Sequence, residues 1–286
     1  MSTPLRLVVL GNPIAHSKSP AIHRDFASQL GLSVQYERVL APLQGFDGTV
    51  RALRAAGVAG ANVTVPFKQA AFELAGQYSE GAQFAEAANT LVFSPEGIYA
   101  DNTDGGGLCR DLNRQLQAHQ LSLADCEVLL LGAGGAASGC IAAFKQHGVQ
   151  ALTILNRTVH KAEALALRAN RIGLPATGAG FDTKAIATGL PRVVVNASSA
   201  SLNGEVPVMD VAWYRDAVLA YDMMYGAETT AFMKHVARVN PALLISDGLG
   251  MLVFQAALAF EIWTGRTPDA LMTLARMREG LGQQHG

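Results

Sequence analysis

One short stretch restricts the fold of this chain more than any other: EVLLLGAGGAASG, starting at Glu127. The apolar run Val128–Leu131 reads as a buried strand, and the small residues after it read as the start of a helix. Between them, Gly132-Ala133-Gly134-Gly135-Ala136-Ala137 fits the pattern G-x-G-x-x-G/A. Gly132 permits the tight turn, Gly134 lets the backbone approach a pyrophosphate, and Ala137 allows close packing of helix on strand. Gly135 and Ala136 are counted with them as cofactor-binding, and the helix N-terminus offers unpaired N–H groups and the positive end of its dipole to the phosphates. A strand–turn–helix of this kind belongs to a parallel α/β sheet that binds a dinucleotide.

The next strand, ALTIL, discriminates between dinucleotides. An NAD site places Asp or Glu at its end to accept from the ribose 2′-OH. Here the end reads Asn156-Arg157-Thr158, with Lys161 one turn on. A guanidinium can grip a 2′-phosphate in forked geometry, so the expected cofactor is NADP. The missing carboxylate also disfavours an S-adenosylmethionine methyltransferase.

Strand-like and helix-like runs alternate on both sides of this turn. After it come ALTILNRT, the helical VHKAEALALRAN, and the apolar strands RVVVNASS and AVLAYDMMY. Before it come LRLVVLG, VQYERVL and GANVTVP as strands, with FDGTVRALRAAG a helix stopped by Gly57. Ser19-Pro20 reads as an N-cap followed by proline at the first helical position. TLVFS and GIYADN pair around the turn Pro95-Glu96-Gly97, and a long helix follows from near Gly106. The last forty residues read as helical and are expected to pack back on the first series.

Composition removes other classes. The net charge is -1 over 286 residues, which leaves no footprint for nucleic acid or an anionic membrane. The most apolar segment, MLVFQAALAFEIW, is too short to span a bilayer and carries Gln255 and Glu261. Cys109, Cys126 and Cys140 form no CxxC pair, so a reduced, cytoplasmic setting is expected. His16 and His23 have no third ligand near them in sequence, and no metal is expected.

The first series collects polar groups at its strand ends. In GANVTVPFKQ, residues 60–69, the alternation puts Val63 and Val65 on one face and Asn62 and Thr64 on the other, before Pro66 and Lys68. The first strand leads to Ser17 and Ser19; the strand pair is flanked by Asn89 and by Asn102, Thr103 and Asp104. Hydroxyls, amides, one cation and one carboxylate suit a small polyhydroxy acid, with Lys68 as proton donor.

GNPIAHSKSPAIH, GANVTVPFK, AANTLV, DNTDGGG, GAGGAASG, NRT, YDMMY and DGLGMLVFQAALAFEIWTG, in this order, resemble the shikimate dehydrogenase family over nearly the whole chain. The resemblance implies two domains. An α/β substrate domain, residues 1–104 completed by the C-terminal helices of 246–286, accompanies a Rossmann-like NADP domain, residues 105–245. It implies NADP-dependent, reversible reduction of 3-dehydroshikimate to shikimate, with Lys68 and Asp104 as the catalytic pair. It implies that Ser17, Ser19, Thr64 and Tyr225 hold the carboxylate, that Asn62, Asn89 and Gln255 hold ring hydroxyls, and that Met223 and Gly248 lie near the nicotinamide. A monomer or homodimer with a small-molecule substrate is expected. A quinate/shikimate dehydrogenase and a non-catalytic NADP sensor are the alternatives. The chain departs from the family at Arg24, commonly Asn, at Ser138, commonly Arg, and at Ser198 and Ser201, commonly Thr and Gly.

Overall fold

The computed structural model describes residues 3–200 and 204–282; Ser201 lies outside them. The chain forms two compact units, one of Met1–Gly107 with Val253–Glu279, the other of Leu108–Leu252 with the chain end from Gly280.

In the first unit six strands form one mixed sheet: β1 Leu5–Gly11, β2 Val34–Leu40, β3 Gly60–Val63, β4 Gln77–Tyr78, β5 Thr90–Ser94 and β6 Gly97–Asp101, in the order β2-β1-β3-β5-β6-β4. β1 pairs in parallel with β2 and β3, while β5 runs antiparallel to β3 and β6. The carboxyl ends of β1, β3 and β6 and the amino end of β5 therefore meet at one sheet edge. Helices α1 Ser19–Leu30, α2 Phe46–Ala55, α3 Lys68–Leu74 and α4 Glu80–Ala85 connect them.

Two local expectations change. Lys18 holds the cap position of α1 and Ser19 is already helical, with Pro20 in the first turn. β3 stops at Val63, and all its residues are buried because both sheet faces are covered. Val65 lies beyond the strand at 63% exposure, so it shares no face with Val63.

Phe46, Val50 and Phe67 pack on one side of this sheet against Val8, Leu10 and Leu91. On the other, Leu7, Val9 and Tyr36 meet Trp263 of α9 Leu249–Thr264. The Trp263 indole N–H donates to the Leu91 carbonyl at 2.9 Å. It passes so close to the sheet that a Cβ on Gly60 would stand 2.2 Å from the indole nitrogen. The last helix, α10 Ala270–Gly282, is tied to α1 by the Arg276–Asp25 ion pair.

The second unit holds β7 Glu127–Leu131, α6 Gly135–Gln146, β8 Ala151–Leu155, α7 Val159–Arg171, β9 Ala176–Ala179, β10 Arg192–Asn196, β11 Ala217–Asp222, α8 Ala231–Val239 and β12 Leu244–Ser246. Its strand order is β12-β11-β10-β7-β8-β9, every pair parallel. Strand order reverses between β7 and β10, which places a ligand crevice outside their carboxyl ends. α5 Asp104–Leu116 and α9 carry the chain between the units. Among the described residues, no helix is long and apolar enough to cross a membrane.

Candidate active site

Lys68 opens α3 directly after the β3 turn, and Asp104 opens α5 directly after β6. Their side chains meet at the shared sheet edge, Lys68 Nζ lying 2.5 Å from Asp104 Oδ2. Both are partly exposed, at 33% and 17%. The second carboxylate oxygen, Oδ1, accepts from Asn89 Nδ2 at 2.8 Å. Asn89, at the amino end of β5, is 3% exposed and acts as a hub. Its Oδ1 accepts from the Thr103 backbone N–H and from Thr90 Oγ1, both at 2.9 Å. Its Nδ2 also lies 3.2 Å from Gln255 Oε1. Gln255 reaches this point because Gly107 of α5 has no side chain: a Cβ there would stand 2.5 Å from the Gln255 backbone nitrogen.

The turn after β1 supplies the hydroxyls. Ser17 Oγ accepts from the Ser19 backbone N–H at 3.3 Å, and Arg38 of β2 clasps the Ser17 carbonyl at 2.6 and 3.0 Å. Thr64 leans over the end of β1, its Cγ2 only 2.5 Å from where a Gly11 Cβ would stand. Asn62 differs from these groups. Its Oδ1 accepts from Tyr36 Oη at 2.6 Å and pairs with His23 Nε2 at 3.1 Å. Its Nδ2 donates to the Asn89 carbonyl at 3.1 Å and Thr90 Oγ1 at 3.2 Å. Every hydrogen-bonding direction of that amide is used inside the protein.

The nucleotide turn in the second unit is open. Gly132 has φ +106°, and a Cβ there would press on the Ser198 backbone nitrogen at 3.1 Å. At Gly134 and Gly135 nothing lies within 4 Å of a Cβ position, leaving a cradle over the start of α6. Ala136 lies in the same first turn, and Ala137 is fully buried against the sheet. Arg157 and Lys161 are exposed past β8, with Thr158 at the cap position of α7. Asn156 Nδ2 donates to the Thr158 carbonyl at 2.9 Å and shapes the bend that presents Arg157. A bare phosphate cradle with two cations and no carboxylate beyond the neighbouring strand fits NADP.

Further along the same edge, Met223 N donates to the Asn196 carbonyl and Gly248 N to the Met224 carbonyl, each at 3.0 Å. A Cβ on Gly248 would stand 2.1 Å from the Met223 carbonyl oxygen, so only glycine fits. Asp222 fixes this turn by accepting from Asn196 Nδ2 at 3.1 Å and Thr230 Oγ1 at 2.6 Å. Tyr225 is half-buried on this unit; burial, then the charge of Asp247, raises its phenol above the usual range.

The departures divide by position. Arg24 is exposed on α1. Ser198 Oγ donates to Asn196 Oδ1 at 2.7 Å, a partner within its own loop. Ser138 is buried on α6, and its hydroxyl has no partner.

Comparison with known proteins identifies the family. The shikimate dehydrogenase substrate binding domain matches residues 9–91, shikimate / quinate 5-dehydrogenase matches 114–177, and the shikimate 5'-dehydrogenase C-terminal domain matches 248–279. Shikimate dehydrogenase (NADP(+)) of Cupriavidus taiwanensis is 46% identical over 96% of this chain and 94% of its own length. The chain belongs to the shikimate dehydrogenase family. The Ael1 enzyme from Pseudomonas putida shares its architecture, with 38% identity, a TM-score of 0.84, and coverage of 95% of this chain and 97% of that chain. So does the shikimate 5-dehydrogenase of Thermus thermophilus solved with NADP(H) and shikimate, with 32% identity, a TM-score of 0.80, and coverage of 97% and 100%.

Tyr36, His23 and Thr90 are further partners of the site beyond the residues expected from sequence. Tyr36 has a visible signal: it is a phenol on the inward face of a strand whose other residues are largely exposed. Thr90 and Asn196 have weaker ones, as polar residues at the ends of otherwise apolar strands.

Proposed function

We propose that the protein reduces 3-dehydroshikimate to shikimate with NADPH, reversibly, as an enzyme of the shikimate pathway and aromatic amino-acid biosynthesis. The observation that carries this reading is the Lys68–Asp104 pair, 2.5 Å apart and braced by Asn89. When bound, the dinucleotide supplies the hydride. Reduction of a ketone leaves an alkoxide, and the Lys68 ammonium is placed to neutralise that charge and give up its proton. Asp104 orients Lys68 and accepts from a ring hydroxyl. Asn89 and Gln255 position the ring, and Ser17, Ser19 and Thr64 hold the carboxylate. The first unit is the substrate domain and the second the NADP domain, with Gly132, Gly134 and Gly135 under the pyrophosphate and Arg157 and Lys161 on the 2′-phosphate. Met223 and Gly248 border the nicotinamide. The enzyme is a cytoplasmic monomer or homodimer with no nucleic-acid partner.

Steady oxidation of NADPH on addition of 3-dehydroshikimate tests this reading, and lack of turnover by folded protein overturns it in favour of an NADP sensor. The family description that joins shikimate and quinate supports a second reading, a dual-specificity enzyme. Parallel oxidation of the two acids with NADP decides between them.

A further inference from the structure

Behind the candidate site lies a buried polar line that the proposed chemistry does not use. His23, on α1, is fully buried among aromatic rings. It stacks on Tyr36 with ring centroids 4.2 Å apart and planes 9° from parallel, and it lies 5.6 Å from Trp263 and 5.9 Å from Phe260. One of its nitrogens faces Asn62, and the other, Nδ1, is buried without any partner.

The hydrogen-bond inventory fixes every proton along this line. The Asn89 backbone carbonyl can only accept, so the Asn62 atom facing it is Nδ2. The opposite atom is then Oδ1, which can only accept. Tyr36 Oη must therefore donate to it, and His23 Nε2 must carry a hydrogen and donate as well. The imidazole is neutral, protonated on Nε2, with a bare lone pair on Nδ1. Its surroundings agree: burial holds the ring at about 3, far below its ordinary value. Leaving Nδ1 unpaired has a cost.

From Asn62 the line runs on to the reacting pair. Asn62 Nδ2 bonds both the Asn89 carbonyl and Thr90 Oγ1, Thr90 Oγ1 donates to Asn89 Oδ1 at 2.9 Å, and Asn89 Nδ2 holds Asp104 Oδ1 at 2.8 Å. At its other end the Tyr36 phenol lies beside the Ser19 hydroxyl. We infer that His23 and Tyr36 are positioning residues: together they lock the Asn62 amide, and through Asn89 they set the carboxylate of Asp104 against Lys68. The inference rests on the proposed reductase activity for its kinetic consequences but not for its structural one.

Three measurements test it. In wild-type protein, nitrogen NMR of the His23 ring should find the proton on Nε2 and none on Nδ1 from about pH 5 to pH 8, where a free imidazole would titrate. A proton on Nδ1, or titration in that range, overturns the inference whether or not the protein turns over. In NADPH oxidation, Tyr36→Phe keeps the stacked ring and removes the bond to Asn62 together with the contact to the Ser19 hydroxyl. It should lower kcat by roughly five- to ten-fold with the KM for 3-dehydroshikimate and for NADPH within about two-fold. A kcat equal to wild type overturns it, as does a loss confined to KM. His23→Gln, which keeps a donor in place of Nε2, should recover most of the kcat that His23→Phe loses; equal loss in both overturns the role of that donor. If wild-type protein shows no turnover with 3-dehydroshikimate, the functional reading fails, and the ring measurement alone decides the inference.

Discussion

The two sheet edges that carry the candidate chemistry are built in opposite ways. In the first unit the polar side chains are bound to one another: Asn62, Asn89, Thr90 and Asp104 all have protein partners. The edge in the second unit is mostly backbone, with open space over Gly134 and Gly135 and with Arg157 and Lys161 exposed. A ketone must be held with the proton donor in line, and rigid side-chain networks give that precision. A dinucleotide's phosphates need N–H groups and charge, which a bare helix start and a few flexible cations supply. If this contrast is right, substitutions at the first edge should act on kcat and those at the second on cofactor affinity.

The largest expected effect is at Lys68. Lys68→Ala should lower kcat by about 10²-fold or more, the range for a positioned acid or base, while changing substrate binding less. Steady-state kinetics in both directions checks this. A near-normal kcat with a raised KM would make Lys68 a substrate clamp and erase the contrast.

Arg157→Ala tests the other edge. Losing a charge-assisted phosphate contact of ~1.5–3 kcal/mol should raise the KM for NADP by about ten-fold or more and leave that for NAD nearly unchanged. Equal changes for both cofactors would remove Arg157 from the 2′-phosphate.

How much of this was readable beforehand differs between the edges too. The glycine turn announced the second one because its function lies in the backbone, and glycine is a direct statement about backbone. The strand order around it was only partly visible. Neither β9 nor β12 carries a strand signal: ATGA lacks an apolar run, and LIS is too short to show a period. Gly178 explains the first, since a Cβ there would stand 2.3 Å from the backbone of Ala162 in α7. At the first edge the residue types were legible and their partners were not. Asn62 and Asn89 look alike in sequence, yet Asn62 turns its amide toward Tyr36 and His23 while Asn89 turns toward Asp104. Pairings across 26 to 39 residues depend on strand register, which no local pattern records.

A third prediction concerns substrate choice at the rigid edge. Quinate carries a hydroxyl on the carbon that bears the carboxylate, and that carbon is tetrahedral. Ser17, Ser19 and Thr64 offer hydroxyls that suit a planar acid, and Thr64 Cγ2 and Ile14 Cδ1 close over the end of β1, 2.5 and 2.8 Å from the Gly11 Cβ position. A clash or an unpaired buried polar group costs roughly 1–3 kcal/mol. Oxidation of shikimate with NADP should therefore exceed that of quinate by at least about ten-fold in kcat/KM. Comparable rates would place the chain with dual-specificity enzymes.

The smallest effect sharpens the contrast from the open side. Ser138 stands on α6, where arginine is common in the family, and its hydroxyl is buried without a partner. Since the hydroxyl is closed off from solvent, it cannot replace the phosphate contact of an arginine. It leaves a polar group desolvated inside a helix that packs on the sheet. Ser138→Ala should remove that penalty and add a better helix former, raising stability by about 0.5–1.5 kcal/mol. The KM for NADP should stay within about two-fold, because the cradle over Gly134 and Gly135 keeps its shape. Urea unfolding of the NADP-free protein measures the first quantity, and steady-state kinetics measures the second. A several-fold rise in the KM for NADP would mean that the helix start opens to bring Ser138 to the cofactor. The second edge would then be as dependent on its side chains as the first.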